Sequence, residues 1–223
     1  VRTPQDAIAA RKYAEDNNCR KAVVVGGGFI GLEVAENLMS KGISVTVIDM
    51  ADQLMPNIFD YDMADYLRRK LTESGMRILT KSALQEIGGE TKVTSVKTSS
   101  GSLPCDLLIL AIGIRPATAF LEGTGLETER GLILTDECQR TNLPDIYAVG
   151  DCAMVKNRIT GKKQWSAMGS TANIAGRALA LNLSGEETHY KGVLGTGVVK
   201  LSHTLCAAKT GLTEAAAKES GYD

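Results

Sequence analysis

Three consecutive glycines, Gly26, Gly27 and Gly28, are followed by Phe29, Ile30 and a fourth glycine, Gly31, at the point where a short apolar run, Val23 to Val25, gives way to an amphipathic one. Gly26, Gly28 and Gly31 have the spacing GxGxxG, in which each glycine has its own task. The first makes a tight turn, the second lets a pyrophosphate approach the backbone, and the third lets helix and strand pack closely. The amides that open the following helix, with the positive end of its dipole, then face the phosphates. Asp49 closes the next apolar run. A carboxylate there accepts hydrogen bonds from both hydroxyls of an adenosine ribose and repels a 2′-phosphate. Met50, Ala51, Asp52 and Gln53 supply no arginine or lysine to receive such a phosphate. The chemistry expected is dinucleotide binding, with NADH preferred over NADPH. Glu33, two residues past Gly31, has two readings: a polar group on the nicotinamide side of the cleft, or an ordinary acid on a helix surface.

Other chemistry finds little support. The five cysteines, at 19, 105, 138, 152 and 206, include no CxxC pair, and the two histidines, His189 and His203, offer no zinc spacing. The thiols are expected to be reduced and to fill space, and Cys152, His203 and Cys206 are read as packing or interface residues. No catalytic residue and no metal ligand set is assigned.

The elements that must position the glycines and the acid follow from periodicity. A helix is expected from Pro4 to about Asn17–Asn18, then a buried strand at Val23 to Val25. A helix from Phe29 to Ser40 has Ile30, Val34 and Leu38 against the sheet, and a strand runs from Ile43 to Ile48, completing a right-handed βαβ unit. Asp60 to Ser74 reads as a helix with Met63, Leu67 and Leu71 on one stripe. Arg77 to Thr80, Ala83 to Ile87 and Lys92 to Thr98 read as an antiparallel meander laid over the parallel sheet, to which Leu107 to Ala111 returns. Leu132 to Leu134, Ile146 to Val149 and Val193 to Leu201 are strand-like, and Met168 to Leu183 is helical.

The chain has 223 residues, 43% of them hydrophobic, and its 25 basic and 26 acidic residues leave a net charge of −1. That balance gives no reason to expect nucleic acid or an anionic membrane as partner. The longest apolar segments are too short to span a bilayer, and the start of the sequence does not have the form of a secretory signal, so a cytoplasmic location is expected.

Taken together, these segments resemble the pyridine nucleotide-disulfide oxidoreductase superfamily, in the branch of NADH oxidases, NADH peroxidases and coenzyme A-disulfide reductases. VVVGGGFIGLEVAENL and VTVIDMADQLMPNIFDYDM are similar to its NAD domain, and LLILAIGIRPATAFL to the strand returning from it. TNLPDIYAVGDC resembles the second FAD fingerprint, and WSAMGSTANIAGRALALNLSG the helix under the isoalloxazine ring. GVLGTGVVKLSHTLCAAKTGLTEAAAKESGYD resembles the opening of the interface domain.

The resemblance implies an α/β architecture in which a Rossmann-like NAD-binding domain, a parallel sheet plus β-meander, is inserted in the second half of a similar FAD-binding domain. Residues 1–18 would be a linker helix and 19–107 the NAD-binding domain. Residues 108–190 would be the second half of the FAD-binding domain, and 191–223 the start of a C-terminal dimerisation domain. It implies that Asp151, after Gly150, bonds the ribityl chain of FAD, and that Ala167, Met168, Gly169 and Ser170 face the flavin pyrimidine. Ala111, Ile112 and Gly113 lead into a loop beside the nicotinamide ribose, with Ile30 and Glu33 beside the nicotinamide. They join Gly26, Gly27, Gly28, Phe29, Gly31, Asp49 and Met50 as cofactor-binding positions.

In the whole protein, hydride would pass from NADH through flavin to a disulfide such as coenzyme A disulfide, a cysteine redox centre or oxygen. Alternatives are reduction of a small electron-carrier protein, or a non-catalytic NAD-binding module. A small-molecule redox substrate and a homodimer are the implied partners. The chain is expected to depart from the family pattern in three places, one of them an early stop in the interface domain, where the branch carries tyrosines or histidines used at the substrate site. It carries no first GxGxxG with its redox cysteines, so it is expected to bind NAD(H), to hold FAD poorly and to be inactive alone. His203 stands where relatives have an acid.

Overall fold

The computed structural model describes residues 3–202 and 204–222; His203 lies outside them. The chain forms two compact units, Val1–Gly113 with Val198–Ala208 and Thr213–Ala215, and Ile114–Gly197 with Lys209–Leu212 and Ala216–Asp223.

The first unit is built on a four-stranded parallel sheet of β1 (Lys21–Val25), β2 (Ser44–Ile48), β3 (Arg77–Leu79) and β7 (Leu107–Leu110), in the order β3-β2-β1-β7. Val24 is opposite Val47 on one side and Ile109 on the other. Alternate residues of a strand point to opposite faces, and here both faces are covered. Ala22 and Val24 enter a core with the helices, while Val23 and Val25 enter a second core with Val96, Leu103 and Cys105 of the meander side. Burial on both faces is why this strand reads as an unbroken apolar run. The meander comprises β4 (Leu84–Gly88), β5 (Ser95–Thr98) and β6 (Gly101–Pro104), all antiparallel, with Val96 opposite Leu103.

Three helices belong to this unit. α1 (Pro4–Asp16) opens with a capping box between Thr3 and Asp6. α2 (Phe29–Ser40) has Gly28 as its N-cap and buries Gly31, Leu32 and Ala35. α3 (Tyr61–Glu73) buries Ala64, Leu67 and Leu71. Two expected stripes are therefore rotated. Gly31 lets α2 approach the sheet so closely that the small residues face it, leaving Val34 and Leu38 at the core margin and Ile30 53% exposed. On α3, Ala64 takes the inward place and Met63 is 53% exposed. A third expectation also changes. The segment from Arg77 belongs to the parallel sheet, not the meander, because α3 is long enough to serve as the crossover that returns the chain beside β2.

In the second unit, β8 (Thr128–Glu129) pairs antiparallel with β9 (Leu132–Ile133), and β10 (Met154–Lys156) with β11 (Lys163–Trp165). α4 (Gly169–Leu183) follows. Ile146 to Val149 does not form the expected strand: its pairing is one antiparallel bridge, Arg140 with Tyr147, and a strand requires a continuous ladder. Ala148 nevertheless packs with Ile133 and Ala153 in a small core.

Strand structure near the end begins at Gly197 instead of Val193, which makes an isolated bridge to Asn157. β12 (Gly197–Lys200) pairs with β13 (Cys206–Lys209), and Val199 and Leu201 are buried in the helix-side core of the first unit. A short α5 (Glu214–Glu219) closes the described chain, its first amide donating to the carboxylate of Asp60 at 3.0 Å. Among the described residues no helix is long and apolar enough to cross a membrane.

Candidate functional site

The glycine turn lies between the end of β1 and the start of α2, in the first unit. Gly26 has φ +109°, and its N–H donates to the Ile48 carbonyl at 2.8 Å. A Cβ on Gly26 would overlap the carbonyl of Ala111, and one on Gly31 would overlap the carbonyl of Gly26. These two glycines are thus required by close backbone approach. Around a Cβ on Gly28 there is nothing within 4 Å. The space beside Gly28 is open, as a ligand approaching the backbone requires. The first backbone bond of α2 runs from the Leu32 N–H to the Gly28 carbonyl, at 3.0 Å. The amides of Phe29, Ile30 and Gly31 precede it and need acceptors from outside the helix.

Asp49, at the end of β2, faces this turn. Its Oδ2 accepts from the Gly27 N–H at 2.6 Å and its Oδ1 from the Ala51 N–H at 2.8 Å. A carboxylate has about four lone-pair sites, so about two remain for hydroxyl donors. Gly27 is held from its other side as well, since its carbonyl accepts from the Met55 N–H at 3.2 Å. A Cβ there would lie 2.6 Å from Leu54 Cδ2. Leu54 is 0% exposed. Sequence reasoning placed no functional weight on Leu54 or Met55; the available signal was a glycine at a position where the GxGxxG pattern accepts any residue.

The remaining expected positions of this unit do not all gather at the glycine turn: Ala111 lies against Gly26, while Ile30 and Glu33 do not face it. Ala111 donates its N–H to the Val25 carbonyl at 2.8 Å, and Gly113 has φ +108°. Met50 is 79% exposed, and Ile112 is exposed too. Ile30 and Glu33 lie on the outward face of α2, where with Val34 they line a groove of about 810 Å³ shared with Ala7, Ala10 and Ala14 of α1.

The second set, Gly150, Asp151, Ala167, Met168, Gly169 and Ser170, is in the other unit. Gly150 has φ +83°, and a Cβ on it would touch Ala172 Cβ at 3.7 Å, so the Gly150–Asp151 turn lies against the first turn of α4. Trp165 donates its indole N–H to the Asp151 carbonyl at 2.9 Å, leaving the exposed carboxylate outside that bond. Met168 is an N-cap with no side-chain cap bond, and its N–H donates to the Ser166 carbonyl at 2.9 Å. The uncapped amides of Gly169 and Ser170 follow.

Residues 1–183 match the family model described as pyridine nucleotide-disulphide oxidoreductase. The chain belongs to that family. It is 37% identical over 221 residues to the CoA-dependent NAD(P)H sulfur oxidoreductase of Pyrococcus abyssi, covering 99% of this chain and 49% of that protein. Reduced CoADR-RHD from Bacillus anthracis superposes with a TM-score of 0.93 at 36% identity, covering all of this chain and 40% of the other. The water-forming NADH oxidase of Lactobacillus brevis, bound to NADH, gives a TM-score of 0.90 at 30% identity, covering 99% and 48%. An engineered form of that enzyme, bound to NADPH, is also 0.90. The chain spans about half the length of the curated relatives it matches.

All five cysteines are unpaired, and Cys19, Cys105 and Cys138 are buried. Burial, then the nearby Asp106 carboxylate, pushes the thiols of Cys19 and Cys105 above their ordinary value. Among the described residues no group of His, Cys, Asp and Glu could hold a metal ion.

Proposed function

We propose that the first unit binds NAD(H), preferring NADH to NADPH, and that the whole protein is an FAD-dependent oxidoreductase acting on a disulfide, a cysteine redox centre or oxygen. The observation that carries the reading is the Gly27–Asp49 clamp beside the open face of Gly28. The cradle fits the dinucleotide. Backbone approach is free at Gly28, the amides of Phe29 to Gly31 suit a pyrophosphate, and Asp49 keeps acceptor capacity for two ribose hydroxyls. Its negative charge disfavours a 2′-phosphate at the same place.

The engineered Lactobacillus brevis variant supports this preference. It is an NADPH oxidase bound to NADPH, in which a glycine, an aspartate and a proline are substituted at the same mutual separations as Gly31, Asp49 and Pro56 here. The aspartate becomes alanine, and arginine enters one residue later, where Met50 stands.

In the second unit, Gly150, Asp151 and the opening of α4 are the residues proposed to hold one end of FAD. The carboxylate would take a ribityl hydroxyl, and the uncapped amides would stabilise negative charge on the ring system. When bound, the nicotinamide supplies a hydride and the flavin a two-electron acceptor; this chain's residues orient and hold them. The proposed division is 1–18 a linker helix, 19–107 the NAD-binding domain, 108–190 half of the FAD-binding domain and 191–223 the opening of a dimerisation domain. A homodimer and a small-molecule oxidant are the proposed partners. The unpaired state of all five cysteines supports a cytoplasmic setting.

The test is the visible spectrum of the whole-length protein. A flavin band that bleaches with NADH, and much less with NADPH, is expected; a colourless preparation, or bleaching by NADPH alone, would contradict the proposal.

A further inference from the structure

We infer that Lys81 is a specificity-determining residue at the adenosine end of the dinucleotide. It is a cation delivered from a second strand end to receive a 2′-phosphate, and it gives this chain a residual affinity for NADPH. The inference rests on the dinucleotide reading above. In sequence, Lys81 is far from Asp49, and the residues that directly follow the acid include no cation. The fold removes that separation. The Asp49 N–H donates to the Leu79 carbonyl at 3.0 Å, the Lys81 N–H to the Ala51 carbonyl at 2.7 Å, and the Ser82 N–H to the Asp49 carbonyl at 2.8 Å. These bonds stitch the segment after β3 to the segment that carries the ribose-binding acid, so Lys81 stands beside it.

Two further features mark the position. Lys81 has φ +52°, a left-handed conformation uncommon for a residue with a side chain. Its backbone is held there on both sides, since Ser99 Oγ donates to the Lys81 carbonyl at 3.3 Å. The residue is exposed, and it takes part in none of the ion pairs within 4.0 Å found among the described residues. An uncommitted ammonium on a flexible four-carbon stem is a point charge suited to phosphate. Asp49 and Lys81 therefore act on a 2′-phosphate with opposite signs. The acid, fixed by two backbone amides, sets the preference for NADH, and the lysine limits how strongly NADPH is rejected.

The experiment is calorimetric titration of the 223-residue chain with NADH and with NADPH, at low and at raised salt. The proteins are the wild type, Lys81→Ala, Lys81→Arg, Asp49→Ala and the Asp49→Ala/Lys81→Ala double variant. Lys81→Ala is expected to weaken NADPH about fivefold at low salt and to leave NADH within about twofold. The difference should shrink as salt screens an exposed charge, and Lys81→Arg should keep NADPH affinity. Asp49→Ala should improve NADPH binding, and adding Lys81→Ala should remove that gain. Equal NADPH affinity with and without the lysine in both backgrounds would overturn the inference while leaving the dinucleotide reading intact. A folded wild type that binds neither nucleotide would overturn both.

Discussion

Gly26 and Gly28 are two residues apart and make different demands on a side chain. At Gly26 a methyl group would meet both a positive φ and the Ala111 carbonyl, whereas at Gly28 it would meet open space. Gly26→Ala is expected to cost about 1–3 kcal/mol of stability through backbone strain and overlap. Gly28→Ala should cost under about 1 kcal/mol as a poorer N-cap, yet weaken NADH at least about tenfold by filling the path of the pyrophosphate. Thermal melts and NADH titration of the two variants separate a structural glycine from a ligand glycine.

Asp106 supplies a pH test away from the site. The amides of Arg20 and Lys21 donate to its carboxylate at 2.8 and 3.0 Å, and these bonds hold it below its ordinary value. With the folded value depressed, the unfolded chain takes up the proton first on acidification. The contribution is therefore full above the ordinary aspartate range and is lost as pH falls through the folded value. Because the group is exposed, Asp106→Asn should cost only about 1 kcal/mol at neutral pH. In urea unfolding the gap between variant and wild type should close as pH falls below the ordinary aspartate range; a gap that does not change with pH would contradict this.

At the scale of elements, the strand, glycine turn and helix around Gly26 were legible because local signals agree: an apolar run, turn residues and a 3.6-residue period. Their rotation was not. Whether Ile30 or Gly31 faces the sheet depends on how closely α2 approaches, which is decided by the Gly26 carbonyl and Ala111 and not by hydrophobicity. The place of β3 was likewise hidden, because a three-residue strand carries no mark of parallel or antiparallel pairing. For the site, Asp49 was readable from its position, but its lock on Gly27 was not, since the side chain that closes that lock, Leu54, lies in an irregular segment. Leu54→Ala is expected to destabilise the first unit by about 2–5 kcal/mol through the cavity it leaves. It should also weaken NADH by loosening the acid. Chemical denaturation and titration on one sample check both, and unchanged nucleotide affinity in a destabilised protein would argue against the lock.

At the scale of the molecule, the first unit draws on distant chain: Val199 and Leu201 of the C-terminal segment are buried in the same core as Val24 and Leu32. Leu201→Ala should therefore cost about 2–5 kcal/mol in the unfolding of the first unit. Hydrogen exchange checks it, because the amides of β1 and β2 should lose protection together. Protection lost only around β12 would mean that the segment is a separate appendage.

The central claim is that this unit holds a dinucleotide on its glycine turn, and the most direct measurement is backbone amide NMR of the chain during titration with NADH. The largest shifts are predicted at Gly28, Phe29, Ile30 and Gly31 and at Asp49 to Ala51, saturating together. Spectra in which these amides stay in place, while NADH leaves the protein unchanged or perturbs only remote residues, would contradict the account.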